Sequence, residues 1–392
     1  MNPTTDKSAA ERGRWAVAAF FFTNGFLVGS WAPQIPVFLT RLQITEFTLG
    51  LLIVGFGIGA LVAMPWCGWL IHRYGSRAAL RGFAIVCAFG LLGIALVPNV
   101  WVAAIMLVLF GGLVGGMDVA MNSNAVAVEG RLRRAVMSSS HGFWSLGGFA
   151  GGASGSLAIQ HFGHLNHAIF ATVIAVVLVL VASRYLITNQ KPVTDKPTKF
   201  GFPRIPAIYL TGIVALFSMV PEGAVLDWAA IYIRQEFGSE IAVAGFAFAA
   251  FSATMAIMRF AGDGVRTRFG AVATMRVSSL VAASGMLLAG VAPTDWTAIA
   301  AFALCGFGIA NMVPIAFSAA GNHREDLSGA GLSTVTAMGY SGSLAAPSVI
   351  GFIGEHTGFA PIFIALAVLL CVVFLMAGLA RAADFEAGQP AE

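Results

Sequence analysis

The chain has 392 residues, of which 58% are hydrophobic and 10% charged, with a formal net charge of +4. An ordinary soluble domain carries about 25% charged residues; a chain this poor in charge cannot clothe a water-facing surface, and lipid is the solvent its composition fits. The small positive balance excludes a nucleic-acid footprint too, because the basic residues lie in short clusters between apolar runs.

Crossing a hydrocarbon core of about 30 Å takes about 20 mostly apolar residues. Twelve stretches meet that requirement, over 15–39, 48–71, 78–97, 101–124, 136–160, 165–187, 206–233, 241–262, 271–292, 296–320, 329–352 and 360–381. They are spans 1 to 12 of an expected all-α membrane protein. Met1 to Glu11 is polar and the first apolar stretch is too long for a signal-peptide core, so no cleavable signal peptide is expected. Short connections make successive spans neighbours. The longest polar interruption runs from Asn189 to Pro206, with Lys191, Lys196, Lys199, Arg204 and four prolines, almost at the midpoint. It divides the chain into a six-helix bundle over 1–188, a cytoplasmic linker over 189–206 and a second six-helix bundle over 207–392.

Alternate connections differ in charge. One side collects Lys7, Arg12, Arg14, Arg73, Arg77, Arg81, Arg131, Arg133, Arg134, Arg184, Arg266, Arg268, Arg276, Arg324 and Arg381 with the linker cluster, while the other keeps Arg41 and Arg234. That bias predicts both termini in the cytoplasm of a bacterial inner membrane. Cys67, Cys87, Cys305 and Cys371 fall inside apolar runs without metal-ligand spacing, so they read as packing residues and no metal or other cofactor is expected.

The two halves read as repeats. Gly29-Ser30-Trp31-Ala32 on span 1 pairs with Leu226-Asp227-Trp228-Ala229 on span 7, Arg73-Tyr74-Gly75 with Arg268-Phe269-Gly270, and Trp144-Ser145 with Tyr340-Ser341. Each pair is separated by 195 to 197 positions. The loop Gly68-Trp69-Leu70-Ile71-His72-Arg73-Tyr74-Gly75-Ser76-Arg77 resembles the G-x-x-x-D-R-x-G-R loop of the major facilitator superfamily, with His72 where the family has Asp. The resemblance implies two parallel, pseudo-symmetric six-helix bundles. A gating role is expected for Arg73, Arg77, Arg259, Asp263 and Arg268, and the spacing of four residues on span 8 suggests a local ion pair between Arg259 and Asp263. A narrower resemblance, to the MosC/YbjJ-type subgroup near the fucose-permease branch, runs over nearly the whole chain. It is carried by Asp118-Val119-Ala120-Met121-Asn122, Glu129, Met137 to Gly148 with His141 and Trp144, and Glu222-Gly223-Ala224-Val225-Leu226-Asp227-Trp228.

A charge near the bilayer centre is costly, so an ionisable residue inside a span is a functional candidate. Asp118 shares a face of span 4 with Asn122, Glu222 lies mid-span in span 7, and Asp227 lies nearer that span's outer end. Each carries either a proton or solute role or a buried structural hydrogen bond. His141 opens span 5 as a relay to Asp118 or as a bonded helix-end histidine. Glu129 reads as a solvated loop residue. The outer trio His161, His164 and His167 reads as solvent-exposed, with metal binding as its sharper alternative. Trp15, Trp101 and Trp296 fit interface anchors.

In the superfamily, spans 1, 4, 7 and 10 line a central cavity with help from 5 and 11. The polar and aromatic residues concentrate there: Asn24, Trp31 and Gln34; Asp118, Asn122 and Asn124; Trp144; Trp228; Asn311 and Tyr340. Amides beside aromatic rings suit a hydroxylated solute, and carboxylates add the option of an amino group on it. The expected function is therefore secondary transport, as proton-coupled uptake of a sugar, cyclitol or amino-cyclitol by a monomer. Proton-coupled efflux of drugs or metabolites is the alternative, although the glycine-rich span 5 lacks the proline that drug antiporters of the superfamily carry there. A non-transporting receptor or scaffold is a further alternative. No Walker A sequence and no nucleophile–base constellation marks an enzyme.

Overall fold

The computed structural model describes residues 3–132, 136–187, 205–322 and 328–383, and every regular element among them is helical. In chain order these are α1 (Pro3–Leu42), α2 (Glu46–Tyr74), α3 (Ser76–Cys87), α4 (Gly90–Leu96), α5 (Val100–Leu132), α6 (Met137–Ser183), α7 (Pro206–Phe237), α8 (Ile241–Phe269), α9 (Ala271–Gly290), α10 (Asp295–Ile309), α11 (Met312–Asn322), α12 (Ser328–Thr357) and α13 (Ala360–Met376), which ends in the 3-10 turn Ala377–Ala383. Apart from Ile205 and Pro206, the linker over 189–206 lies outside the described residues. So do the side chains of His72, Glu129 and Asp263.

Ten helical stretches are long and apolar enough to cross a bilayer among the described residues. One of them, Ser139–Ser183, is two spans rather than one. It breaks at Gly163, whose φ of 82° and ψ of 163° are open only to glycine, and the chain reverses there. With α12, whose 30 residues suffice for a crossing, the expected twelve spans are present. Spans 3 and 10 are each divided, into α3 with α4 and α10 with α11, where the helix pauses near Phe89 and near Asn311.

The repeat is written into the turns. Gly75 (φ 85°) ends α2 and Gly270 (φ 78°) ends α8, 195 positions later; Gly163 and Gly358 (φ 78°) stand 195 apart as well. A side chain at any of the four would meet left-handed backbone strain. The arginines beside these turns tie each half to itself: Arg81 donates to the Ser183 carbonyl, and Arg266 donates to Ser318 Oγ at 2.9 Å.

Packing repeats too. In the first half α1 lies on α6 and α2 on α5; in the second, α7 lies on α12 and α8 on α10. The halves meet through the two equivalent pairs, α6 with α8 and α2 with α12. Small residues permit that approach. A Cβ on Gly50 would sit 2.6 Å from the Pro347 carbonyl oxygen, and one on Gly245 would strike Ser156. Four hydrogen bonds among the described residues join the halves at the face remote from the termini: Gln235 to Glu46 at 2.5 Å, the Phe47 amide to Glu355 at 3.2 Å, the Ala242 amide to Gln160 at 2.9 Å, and Gln160 to Glu240. That face is sealed.

Candidate functional site

Behind the seal, between the halves, lies a cavity of about 580 Å³, a size that suits a small organic solute. Its polar lining comes from both halves: Asn24 and Trp31 on α1, Asp118 on α5, His141 and Trp144 on α6, Glu222 and Asp227 with Trp228 on α7, Arg259 on α8, Asn311 between α10 and α11, and Tyr340 on α12. Between these groups the wall is aliphatic and aromatic, through residues such as Val28, Ile53, Phe56 and Phe110.

A chain of polar contacts crosses from one half to the other. Glu222 accepts from an Arg259 guanidinium nitrogen at 3.3 Å, a salt bridge within the second half. The other terminal nitrogen of Arg259 donates to Ser145 Oγ at 2.8 Å, on α6 in the opposite half. The same guanidinium lies 5.9 Å from the Trp144 ring centroid, close enough for a cation–π attraction. The Trp144 indole donates to Asn24 Oδ1 at 2.8 Å, and Asn24 Nδ2 donates to the Val114 carbonyl on α5 at 3.2 Å. Asn24 therefore holds the Trp144 indole with its amide oxygen and is itself tied to α5 through its amide nitrogen. Replacing it with alanine leaves the indole proton without its acceptor, and we expect the affinity of the cavity for its solute to fall about tenfold. An unchanged value in reconstituted vesicles would argue that the Trp144 ring does not touch solute.

Pro221 precedes Glu222 in α7 and has no amide to give, which removes a hydrogen bond from the helix beside the ion pair. Pro33 and Pro36 do the same in α1 above Trp31. The two helices thus stay continuous but each lacks a backbone hydrogen bond near its lining residues.

The structure moves several residues from their expected places. Arg259 lies on the cavity wall, and its expected pairing with Asp263 falls on a side chain outside the described residues. Standing ten positions from the end of α8, Arg259 reaches the cavity and takes Glu222 as its partner. Gln34 does not join the cavity lining. Its Nε2 is held by the His164 carbonyl and by His167 Nδ1, both at 2.9 Å. Asn122 turns back along its own helix to the Asp118 carbonyl at 2.9 Å and stays out of the lining, and Asn124 bonds to Ser76 Oγ and the Ile187 carbonyl. The histidine trio is not a solvated group: His167 is buried, His164 is half-buried against Arg41 at 3.2 Å, and only His161 is exposed, because the reversal at Gly163 folds the later two against α1.

His141 lines the cavity, but among the described residues it makes no hydrogen bond to Asp118; its ring packs edge-on against Phe21 at 5.0 Å. Tyr340 lies within electrostatic reach of both Asp118 and Glu222. Trp228 is fully buried and stacked on Phe359, so it forms wall at the closed end beside Asp227, itself 8% exposed. Arg73 and Arg268 are exposed beside neighbouring rings at the termini-bearing face, and Arg77 is half-buried there. Sequence reasoning missed Ser145 as a site residue and misjudged Arg259. The signal for the second was available, since Arg259 stands within the apolar run 246–262 rather than at its edge.

Comparison with known proteins gives one family. The sequence model described as Major Facilitator Superfamily matches residues 15–228 and 211–390. An uncharacterized MFS-type transporter of Yersinia pestis is 36% identical over 356 residues, which cover 90% of this chain and 92% of that protein. Membrane protein MosC of Rhizobium meliloti is 32% identical over 348 residues, covering 88% and 84%. Among solved structures, the E. coli fucose:proton symporter FucP superposes with a TM-score of 0.65 at 18% identity, covering 94% of this chain and 98% of that one.

Proposed function

The chain belongs to the major facilitator superfamily, and from that premise we propose that it imports a small hydroxylated solute across the bacterial inner membrane together with protons. It is a multi-pass transporter and not an enzyme. The observation that carries the finer reading is the cavity between the halves, polar on both walls and sealed at one face. Rocking of residues 1–188 against 207–392 exposes such a site to one side and then the other. With the termini in the cytoplasm, as the Lys and Arg bias favours, the sealed face is periplasmic and the arrangement is inward-facing.

Asp118 and Asp227 are the candidates for carrying the proton. Neither has a cationic partner among the described residues, whereas Glu222 has Arg259. A carboxylate moved from water into an apolar surround gains from taking up a proton, so a proton can accompany the closed site across the membrane. FucP, which shares the fold, is by its description a fucose:proton symporter.

Reconstituted vesicles with an imposed pH gradient, acid outside, test this. Uptake of sugars and cyclitols should rise with the gradient and collapse with a protonophore, and Asp118→Asn or Asp227→Asn should make it indifferent to the gradient. Gradient-independent uptake that survives both replacements sinks the proton coupling and leaves facilitated transport. The apolar stretches of the wall favour a second reading, efflux of a more hydrophobic metabolite or drug. Resistance profiles of deletion and overexpressing strains separate the two.

A further inference from the structure

Two helix N-termini at the sealed face are capped from across the junction. In α2 the Thr45 hydroxyl accepts the Thr48 amide at 3.2 Å, and the Phe47 amide goes instead to Glu355 Oε2 of α12, in the other half, at 3.2 Å. In α8 the cap residue Glu240 makes no side-chain capping bond of its own; the Ala242 amide donates to Gln160 Oε1 of α6, again in the other half, at 2.9 Å. Gln160 also donates through Nε2 to the Glu240 carboxylate. The two bonds are equivalents in the repeat. Glu355 stands 195 positions after Gln160, and Ala242 stands 195 after Phe47.

The first amides of a helix have no partner within it. Here each half supplies the acceptor that the other half's helix lacks, and both bonds break when the halves part. Neither Gln160 nor Glu355 lines the cavity, so neither touches solute in it. We propose that Gln160 and Glu355 are gating residues that hold the remote face shut by capping α8 and α2 in trans, and so set the ratio of the two access states. This rests on the alternating-access reading above.

The chemistry of the two caps differs in a way that packing alone would not reproduce. The Phe47 amide needs only an acceptor, which Glu355→Gln retains. Gln160 accepts from Ala242 and donates to Glu240, so Gln160→Glu keeps the acceptor, loses the donor and sets two carboxylates face to face. Both replacements are close in shape to the originals, which protects folding.

The experiment places spin labels on the two halves of the full chain in lipid nanodiscs, at Gln43→Cys and Thr357→Cys, with the exposed Cys371 replaced by serine and the other three native cysteines buried. Distances are read by double electron–electron resonance. Gln160→Ala and Glu355→Ala should each raise the ratio of long to short distances about fivefold, the effect of losing one helix cap. Gln160→Glu should raise it at least as far, and Glu355→Gln should leave it at the parent value. Two populations whose ratio ignores Gln160→Ala and Glu355→Ala overturn the caps but keep alternating access. A shift in Glu355→Gln equal to that in Glu355→Ala overturns the capping chemistry. A single fixed distance in parent and variants overturns both this proposal and the transport reading beneath it.

Discussion

Glu222→Ala should lower solute uptake about a hundredfold and destabilise the folded protein, while Glu222→Gln combined with Arg259→Met should recover the stability without recovering uptake. The argument turns on what each change leaves behind. Removing the carboxylate alone strands a guanidinium in a cavity whose wall is largely apolar, and breaking a buried pair in that way costs about 3–5 kcal/mol. Glu222 is 24% exposed and Arg259 14%, so cavity water screens part of this and about 1–3 kcal/mol is the reasonable expectation. Removing both charges removes the stranded ion along with the attraction, and such double replacements are often close to neutral.

Transport has a different requirement. Arg259 is also the group that reaches Ser145 and the Trp144 ring in the other half, so a chain without it folds but has lost the polar link across the site. Unfolding midpoints in detergent and initial uptake rates in vesicles read the two quantities separately. A double variant as active as the parent would show that the pair is scaffolding; a single variant of unchanged stability would show that Arg259 finds water as readily as Glu222.

Leucine at Gly50 or Gly245 should hold the remote face open and reduce turnover by more than tenfold. At both positions the opposing helix lies so close that even a methyl group collides, with the Pro347 carbonyl and with Ser156 respectively. Overpacking of a tight contact costs about 1–3 kcal/mol. Because the strain exists only while the halves are closed, the whole of it falls on one side of the conformational balance. A cysteine placed at Val28 on the cavity wall would then react faster with a membrane-impermeant thiol reagent added on the remote side. Equal reactivity in the parent and in Gly50→Leu would mean that the halves absorb the side chain without parting.

Much of the fold was legible from composition and length, because a bilayer leaves the backbone few choices: a spanning segment must satisfy its own amides, and helices do so. The repeat was legible in Arg73-Tyr74-Gly75 and Arg268-Phe269-Gly270 because their glycines do the same backbone work twice. The site was legible in part. Asn24, Asp118, Trp144, Glu222, Asp227, Asn311 and Tyr340 were found because an intramembrane polar group stands out against its neighbours, and all line the cavity.

Gln34 and Asn122 stood out for the same reason yet are spent elsewhere, Gln34 on His164 and His167 and Asn122 on its own helix. Periodicity gives a residue's helix and approximate face, and the partner that satisfies it is a tertiary fact. Arg259 illustrates the converse. Its ion pair reaches Glu222, 37 positions away on the neighbouring helix, and nothing in the sequence marks that pairing. The capping exchange at the sealed face was illegible altogether, because Gln160 and Glu355 are ordinary polar residues at helix ends until the other half is brought against them.

The reversal at Gly163 bears on how the chain enters the bilayer during synthesis. Spans 5 and 6 follow each other with only the polar stretch 160–167 and its one tight turn at Gly163 between them. A turn this short leaves the two spans little room to enter the bilayer separately, and we expect them to insert together as a hairpin. Gly358 imposes the same condition on spans 11 and 12. Insertion by twos is then the expectation at both places, and a lengthened loop there should uncouple the partners before it alters the finished transporter.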